Sequence, residues 1–162
     1  MNVTFLPNGN VRMDNAKIVF RNFSGMPGKF NRDGDRNFAV VIDDEEIKDA
    51  LINDENEYDM GWNVKIKPPR DEDDTPFMFL TVKLKFNDRG PHVYLKSGDN
   101  MVKLDEDSVG CLDNIDILSA DLDIRPYDSS VNGKPFRAAY LQSMRVVQNV
   151  TDRFAEEYDS RA

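Results

Sequence analysis

Asn132-Gly133 constrains this chain more than any other pair of residues, because Asn-Gly is the pair best suited to the positive φ angles of a two-residue β-hairpin turn. It lies in D-S-S-V-N-G-K-P, between I-D-I-L-S-A-D-L-D-I-R-P-Y and F-R-A-A-Y-L-Q-S-M-R-V-V. Both flanking segments have the alternation of strands. The last third of the chain therefore reads as two long antiparallel strands.

The segment from Pro76 to Phe86, P-F-M-F-L-T-V-K-L-K-F, reads as another strand, with two unlike faces. Met78, Leu80, Val82, Leu84 and Phe86 fall on one side, and Phe77, Phe79, Thr81, Lys83 and Lys85 on the other. A strand that only covers a core shows water Thr, Ser, Lys and Glu, whereas this outer row has two phenyl rings and then two ammonium groups. Bases stack on rings, and phosphates pair with ammonium groups. The plain structural alternative is a strand buried on both faces at one end and solvated at the other.

Residues 1–10 read as a loose arm, 11–148 as one domain, and the polar stretch 149–162 as a short helix or tail. Val11 to Phe23 fits one strand, with Ala16, Ile18 and Phe20 on one face and Lys17, Val19, Arg21 and Phe23 on the other. S-G-M-P-G-K-F-N-R-D-G-D-R then breaks all periodicity. This loop carries Lys29, Phe30, Arg32 and Arg36, and has too little apolar surface to pack down. It is expected to be mobile until a ligand orders it. N-F-A-V-V-I-D follows as a strand with Phe38, Val40 and Ile42 inward, and D-D-E-E-I-K-D-A-L-I as a short helix opened by acids. Trp62 to Lys67 alternates again, with Trp62, Val64 and Ile66 inward and Lys65 and Lys67 outward. H-V-Y-L-K-S, after the turn N-D-R-G-P, is read as the hairpin partner of the Pro76–Phe86 strand, and D-E-D-S-V-G-C-L-D as one or two helical turns. About seven short strands with long turns and one or two small helices imply an all-β dominated protein built on a twisted, closed antiparallel sheet.

A chain of 162 residues supports one domain, and no apolar run approaches a membrane span. The first residues lack the basic and apolar blocks of a signal peptide, so a cytoplasmic location is expected. Cys111 is the only cysteine and is expected to be packed; His92 is the only histidine. An intramolecular disulfide and a thiolate metal site are thereby excluded, zinc is left with too few of its usual ligands, and no cofactor is expected. The net charge of −9 argues at first against a phosphate-rich partner. Its distribution reverses that argument. From Asp43 to Asp59 nine acids face Lys48 alone, Asp71–Asp74 adds four acids and Asp105–Asp107 three, so these blocks hold −15 and everything else is +6. Acidic loops can keep a protein soluble while a groove elsewhere stays basic.

Enzyme readings lack their parts: there is no G-x-S-x-G and no P-loop. Asp116, Asp121 and Asp123 are candidates for a magnesium-dependent nuclease, because Asp121 and Asp123 share a strand face, but alternating Asp on a solvated strand is ordinary. An acidic inhibitor that mimics DNA, working through the carboxylates of Asp43–Asp59 and Asp71–Asp74, is another alternative, and a structural or adaptor role in a larger particle a third. The nucleic-acid reading gathers more residues. Lys17 and Arg21, Lys65 and Lys67, Phe77, Phe79, Lys83 and Lys85, Tyr94 and Lys96, then Arg125 and Tyr127 repeat the theme of cations and flat rings on outward strand positions. With a loop bearing Lys29, Phe30, Arg32 and Arg36, this is the pattern of a single-strand groove. Duplex recognition by a helix in the major groove is disfavoured, since both candidate helices are acidic.

The stretch I-R-P-Y-D-S-S-V-N-G-K-P-F-R-A-A-Y-L-Q-S-M, with I-V-F-R-N-F-S-G and F-N-R-D-G-D-R-N-F-A-V-V-I upstream, resembles bacteriophage single-stranded DNA-binding proteins of the OB-fold type. The resemblance spans Ile18 to Val147 and implies an OB-fold-like closed antiparallel barrel with extended hairpins. It further implies a protein that coats single strands with little sequence preference during phage DNA replication or recombination. Lys29 to Arg36 would match the strand-clamping loop, and Arg125, Tyr127 and Lys134 the hairpin beside the groove. The partners it implies are single-stranded DNA and phage or host replication and recombination proteins; the oligomeric state, including a homo-oligomer, is left open. One departure is the ending E-E-Y-D-S-R-A, where bacterial single-strand binding proteins carry an acidic tip finishing in Pro-Phe.

Overall fold

A computed structural model describes residues 1–69, 71–72 and 74–150. The chain runs β1 (Asn2–Phe5), β2 (Val11–Ala16), β3 (Ile18–Asn22), β4 (Arg36–Ile42), α1 (Glu45–Asn53), β5 (Val64–Lys67), β6 (Phe77–Leu84), β7 (His92–Ser97) and β8 (Asn100–Leu104). A short 3-10 helix at Val109–Asp113 precedes β9 (Ile117–Val131) and β10 (Lys134–Gln148). The protein is all-β dominated, as the alternation implied.

The Asn132-Gly133 hairpin forms, with φ of 53° and 78° at its two turn residues. Its strands pair antiparallel from Val131↔Lys134 down to Ile117↔Gln148. A bulge between Leu141 and Ser143 leaves Gln142 unpaired with β9 and shifts the inward parity, so that Ala139 and Leu141 before it and Met144 and Val146 after it all enter the core. Without the bulge, unbroken alternation would turn Ser143 and Arg145 inward after Leu141. On β6 the row Met78, Leu80, Val82 and Leu84 is buried, and on β4 so is Phe38, Val40 and Ile42, as alternation predicts. Asp44 caps α1 by accepting the Glu46 N–H at 2.7 Å, and Leu51 is the helix residue that is fully buried.

The sheet path is β1-β2-β9-β10-β6-β4-β3, with β5 on the free edge of β6, and β7 on β10 with β8 outside it. It is not hydrogen-bonded into a closed ring, which corrects the closed sheet expected from sequence. Its two inner ends are nevertheless consecutive in the chain. Asn15, at φ 56°, kinks the end of β2 at a bulge in its pairing with β9, and the carbonyl of Lys17, in the bend between β2 and β3, accepts the Val41 N–H at 2.9 Å. One bent segment thus pairs with β9 before the bend and with β4 after it, and the ring is interrupted where the chain turns.

Three further expectations need correction. Residues 2–5, read as part of a loose arm, form β1 and pair with residues 11–14. β7 is not the hairpin return of β6: both run parallel to β10, β6 at Tyr140↔Lys83 and β7 from Ser143↔His92 onward, so the Asn87–Gly90 turn is an excursion within one direction of travel. Cys111 is exposed rather than packed. The expected C-terminal helix or tail falls, from residue 151 on, outside the described residues. No helix among the described residues is long and apolar enough to cross a membrane.

Candidate nucleic-acid interface

Phe20 is one of the residues that alternation misplaces. With Ile18 inward, period 2 puts Phe20 inward as well, but its φ of 51° throws the ring outward and leaves it 57% exposed. Burial resumes at Phe23, which stacks on Phe38 in the core at 5.1 Å instead of pointing out. A left-handed backbone at a bulky non-glycine residue costs on the order of 1 kcal/mol and concentrates at functional sites. Phe20 meets Phe77 at 6.0 Å and Phe79 at 5.4 Å between ring centroids, while Phe77 and Phe79 lie 5.5 Å apart. The Lys67 ammonium sits 5.2 Å from the Phe20 centroid and 5.6 Å from that of Phe79, and Lys65 lies 5.9 Å from Phe79. Phe79 is therefore the covered floor of this cluster, only 8% exposed, and Phe20 and Phe77 are its accessible rings.

From this cluster a cavity of about 850 Å³ extends over the outer face of β4 and β6 toward β10. Thr81 and Lys83 of β6, Asn37 of β4 and Tyr140 of β10 line it, with Lys85 at the far end. Tyr140 continues the aromatic theme. Arg125 lies over its ring at 5.1 Å, and Tyr127, half exposed, meets it edge-on at 5.8 Å. Two carboxylates, Asp35 and Glu106, also line the cavity, so its field is mixed. A smaller cavity shares Phe20 with the central one and adds Lys67 and Phe77; another shares Lys85 and adds Arg89 and Arg125. The three are neighbours through these shared residues and form a row, here called the track, ring-rich at one end and cation-rich at the other.

The loop of residues 24–36 forms one wall. Expected to be mobile, it carries its own hydrogen-bond framework centred on Asn31. The Asn31 side-chain nitrogen reaches the carbonyls of Met26 at 2.8 Å and of Arg32 and Asp35 at 3.0 Å, and its Oδ1 accepts from Asn37 Nδ2 at 2.9 Å. Gly28 and Asn31 bridge across the tip, which presents Phe30 93% exposed with Lys29 5.5 Å from its ring. Arg36 is more structural than expected, donating to the Phe23 carbonyl at 2.6 Å and lying 5.7 Å from the Phe86 ring centroid. Arg32 is exposed on the loop.

Of the residues singled out from sequence, Phe30, Arg36, Lys67, Phe77, Lys83, Lys85 and Arg125 line the track, while Lys65, Phe79 and Tyr127 sit against its lining rings. Tyr94 and Lys96 lie on β7, where Tyr94 lines a different cleft with Arg12, Asp121, Asp123 and Arg145. Lys134 is exposed at the hairpin tip, and Arg21 is committed to the carbonyls of Leu112 and Ile115 at 2.7 Å each. Phe20 and Tyr140 were missed. Tyr140 shares an alternating row with Phe136 and Ala138, a legible signal; nothing in the sequence announces the backbone flip at Phe20.

The carboxylates considered for a metal are engaged otherwise. Asp123 takes the Arg12 guanidinium through both oxygens, at 2.9 and 3.1 Å. Burial would raise the Asp121 pKa, but the Asn15 N–H and Arg145 hydrogen bonds outweigh it and hold the carboxyl below its usual range.

The family described as "Putative phage ssDNA-binding domain" matches residues 1–160. The chain belongs to this phage ssDNA-binding family. Among solved structures, its fold is similar to that of the single-stranded DNA-binding protein from bacteriophage Enc34. The C-terminally truncated form gives a TM-score of 0.59 at 12% identity over 93% of this chain and 91% of that one. The Enc34 protein without that truncation gives 0.56 at 12% identity over 99% and 94%, and its complex with ssDNA gives 0.55 at 14% identity over 94% and 93%. No curated protein matches the chain.

Proposed function

We propose that this phage ssDNA-binding family member holds a single strand of DNA along the track from Phe20 to Arg125. The observation that carries the reading is the row of neighbouring cavities: Phe20 lines both the ring-bearing cavity and the central one, and Lys85 lines both the central one and the cationic one. Bases stack on Phe20, Phe77 and Tyr140, and phosphates meet Lys65, Lys67, Lys83, Lys85 and Arg125. Phe30, with Lys29 and Arg32 on the same loop, closes over the strand. Rings and ammonium groups read no base edges, so sequence preference is weak. The Enc34 complex with ssDNA supports single-stranded DNA as the ligand.

In this reading the protein is a binder rather than a catalyst. It coats strands exposed during phage replication or recombination in the host cytoplasm, on a curled sheet of the OB type that stays open at the bent β2–β3 segment. Fluorescence anisotropy with labelled oligo-dT and with a duplex of the same length tests it. Tighter binding of the single strand is expected, with log affinity falling against log salt by about 0.7 per phosphate contacted. Equal or tighter duplex binding overturns the reading.

A further inference from the structure

Between β6 and β7 the chain leaves the side of β10. It passes Leu84, turns at Asn87–Gly90 through a reciprocal backbone bridge of 2.8 and 3.1 Å, and rejoins β10 at His92. Opposite this excursion lies the β10 bulge, where Gln142 has no partner in β9. The two irregularities face one another across a cavity of about 340 Å³. Bulges that open a ladder in this way are found beside functional sites.

The charged lining of this cavity is Lys85, Arg89 and Arg125, with the neutral amides of Asn87 and Gln142 beside them. No carboxylate lines it, whereas Asp35 and Glu106 line the central cavity and Asp74 the one beside Phe77. Asp88, at the tip of the turn, is exposed and outside the lining. Among the described residues none of the three cations is in an ion pair; Arg125 is seated on the Tyr140 ring instead. Three cations gathered without a counter-charge repel one another, and an anion held between them removes that repulsion. A guanidinium pair with neutral amide donors matches the oxygens of a phosphate.

Resting on the single-strand reading above, we infer that the Lys85–Arg89–Arg125 cavity is a phosphate subsite, which takes a backbone phosphodiester of the bound strand while the rings around Phe20 take bases. Lys85 lines both cavities and hands the strand from one to the other. The two ends of the track then differ in balance: stacking dominates around Phe20, where Lys65 and Lys67 add a salt-dependent share, and at the Lys85–Arg89–Arg125 end the contribution is one that salt removes.

The test is a salt titration of binding to oligo-dT of about 20 nucleotides, longer than one groove covers, for the wild type, Arg89→Ala, Lys85→Ala/Arg89→Ala, Phe20→Ala and Lys103→Ala. Lys103 lies 6.0 Å from the Tyr94 ring centroid, lines none of the three cavities and controls for net charge. Arg89 and Lys85 are exposed, so these variants keep the fold. Arg89→Ala is expected to bind roughly three- to ten-fold more weakly at low salt and to lower the log–log salt slope by about 0.7, the double variant by more. Phe20→Ala should lose affinity at an unchanged slope, and Lys103→Ala should match the wild type. If the wild type binds and both Arg89 variants keep its slope and affinity, or lose no more than Lys103→Ala, the subsite is refuted and the single-strand reading stands. If the wild type fails to bind oligo-dT, the reading fails and the subsite with it.

Discussion

Replacing Phe20 by alanine removes the most accessible ring of the cluster and leaves no hole behind, because the ring stands on Phe77 and Phe79 rather than among them. Each of those edge-on contacts is worth about 0.5–1.5 kcal/mol when fully packed. With the ring 57% exposed, the fold should lose about 1 kcal/mol in all. Binding should lose more. One base stacked on an aromatic ring contributes about 1–3 kcal/mol, so the dissociation constant for oligo-dT should rise about 5- to 150-fold. Phe79→Ala is the instructive partner. Its ring is 8% exposed, and truncation should cost about 3–5 kcal/mol of stability, as for a core phenylalanine. Phe20→Gly separates ring from backbone, since glycine adopts the φ of 51° without strain; it should bind as poorly as Phe20→Ala. Anisotropy with oligo-dT gives the affinities and urea unfolding the stabilities. A Phe20→Ala protein with wild-type affinity, or one destabilised as much as Phe79→Ala, would refute the assignment of this ring to the ligand.

Asn31→Ala should release the loop of residues 24–36 from β4. Dissociation of oligo-dT in stopped flow should quicken while association changes little, and trypsin should cut faster at Lys29 and Arg32; unchanged dissociation would remove the loop from the bound state. Gly61→Ala should destabilise by about 3 kcal/mol or more, because a Cβ there would lie 1.8 Å from the Ile52 carbonyl oxygen; a melting temperature within a degree or so of wild type would contradict the close approach. The Arg137 hydrogen bond holds the Asp128 carboxyl below its usual range, against the opposing effect of burial. A folded pKa below the unfolded value of about 3.9 stabilises at neutral pH, and that contribution fades as pH falls through the folded value. Asp128→Asn should therefore melt lower than wild type near pH 7 and converge with it near pH 2; a constant difference would exclude the linkage.

What the sequence made legible follows from where local rules suffice. The Asn132-Gly133 turn, the inward rows of β4 and β6 and the acid-opened start of α1 each depend on residues within a few positions of one another. The misplaced residues depend on partners far away. Phe79 occupies an outer-face position, but Phe20 from β3 and Lys67 from β5 cover it, and alternation along β6 cannot see either strand. His92–Ser97 follows a good turn sequence, yet β10 offered a longer parallel edge, so the strand continued instead of returning. That choice carries Tyr94 and Lys96 past the β10 bulge, Tyr94 to the Arg12–Asp123 cleft and Lys96 to a place opposite Val147, although their composition matches the residues that do line the track. The family resemblance was carried by the segments that became β3, β4, β9 and β10.

The central claim, that one strand lies along the track from Phe20 to Arg125, is tested most directly by titrating isotope-labelled protein with oligo-dT and following its NMR spectra. The account predicts shifts concentrated at Phe20, Phe30, Phe77, Lys83, Tyr140 and Arg125, with Tyr94, Lys96 and the acidic helix α1 unmoved. Shifts centred on the Tyr94 cleft or on α1, with the Phe20–Tyr140 face unchanged, would contradict it.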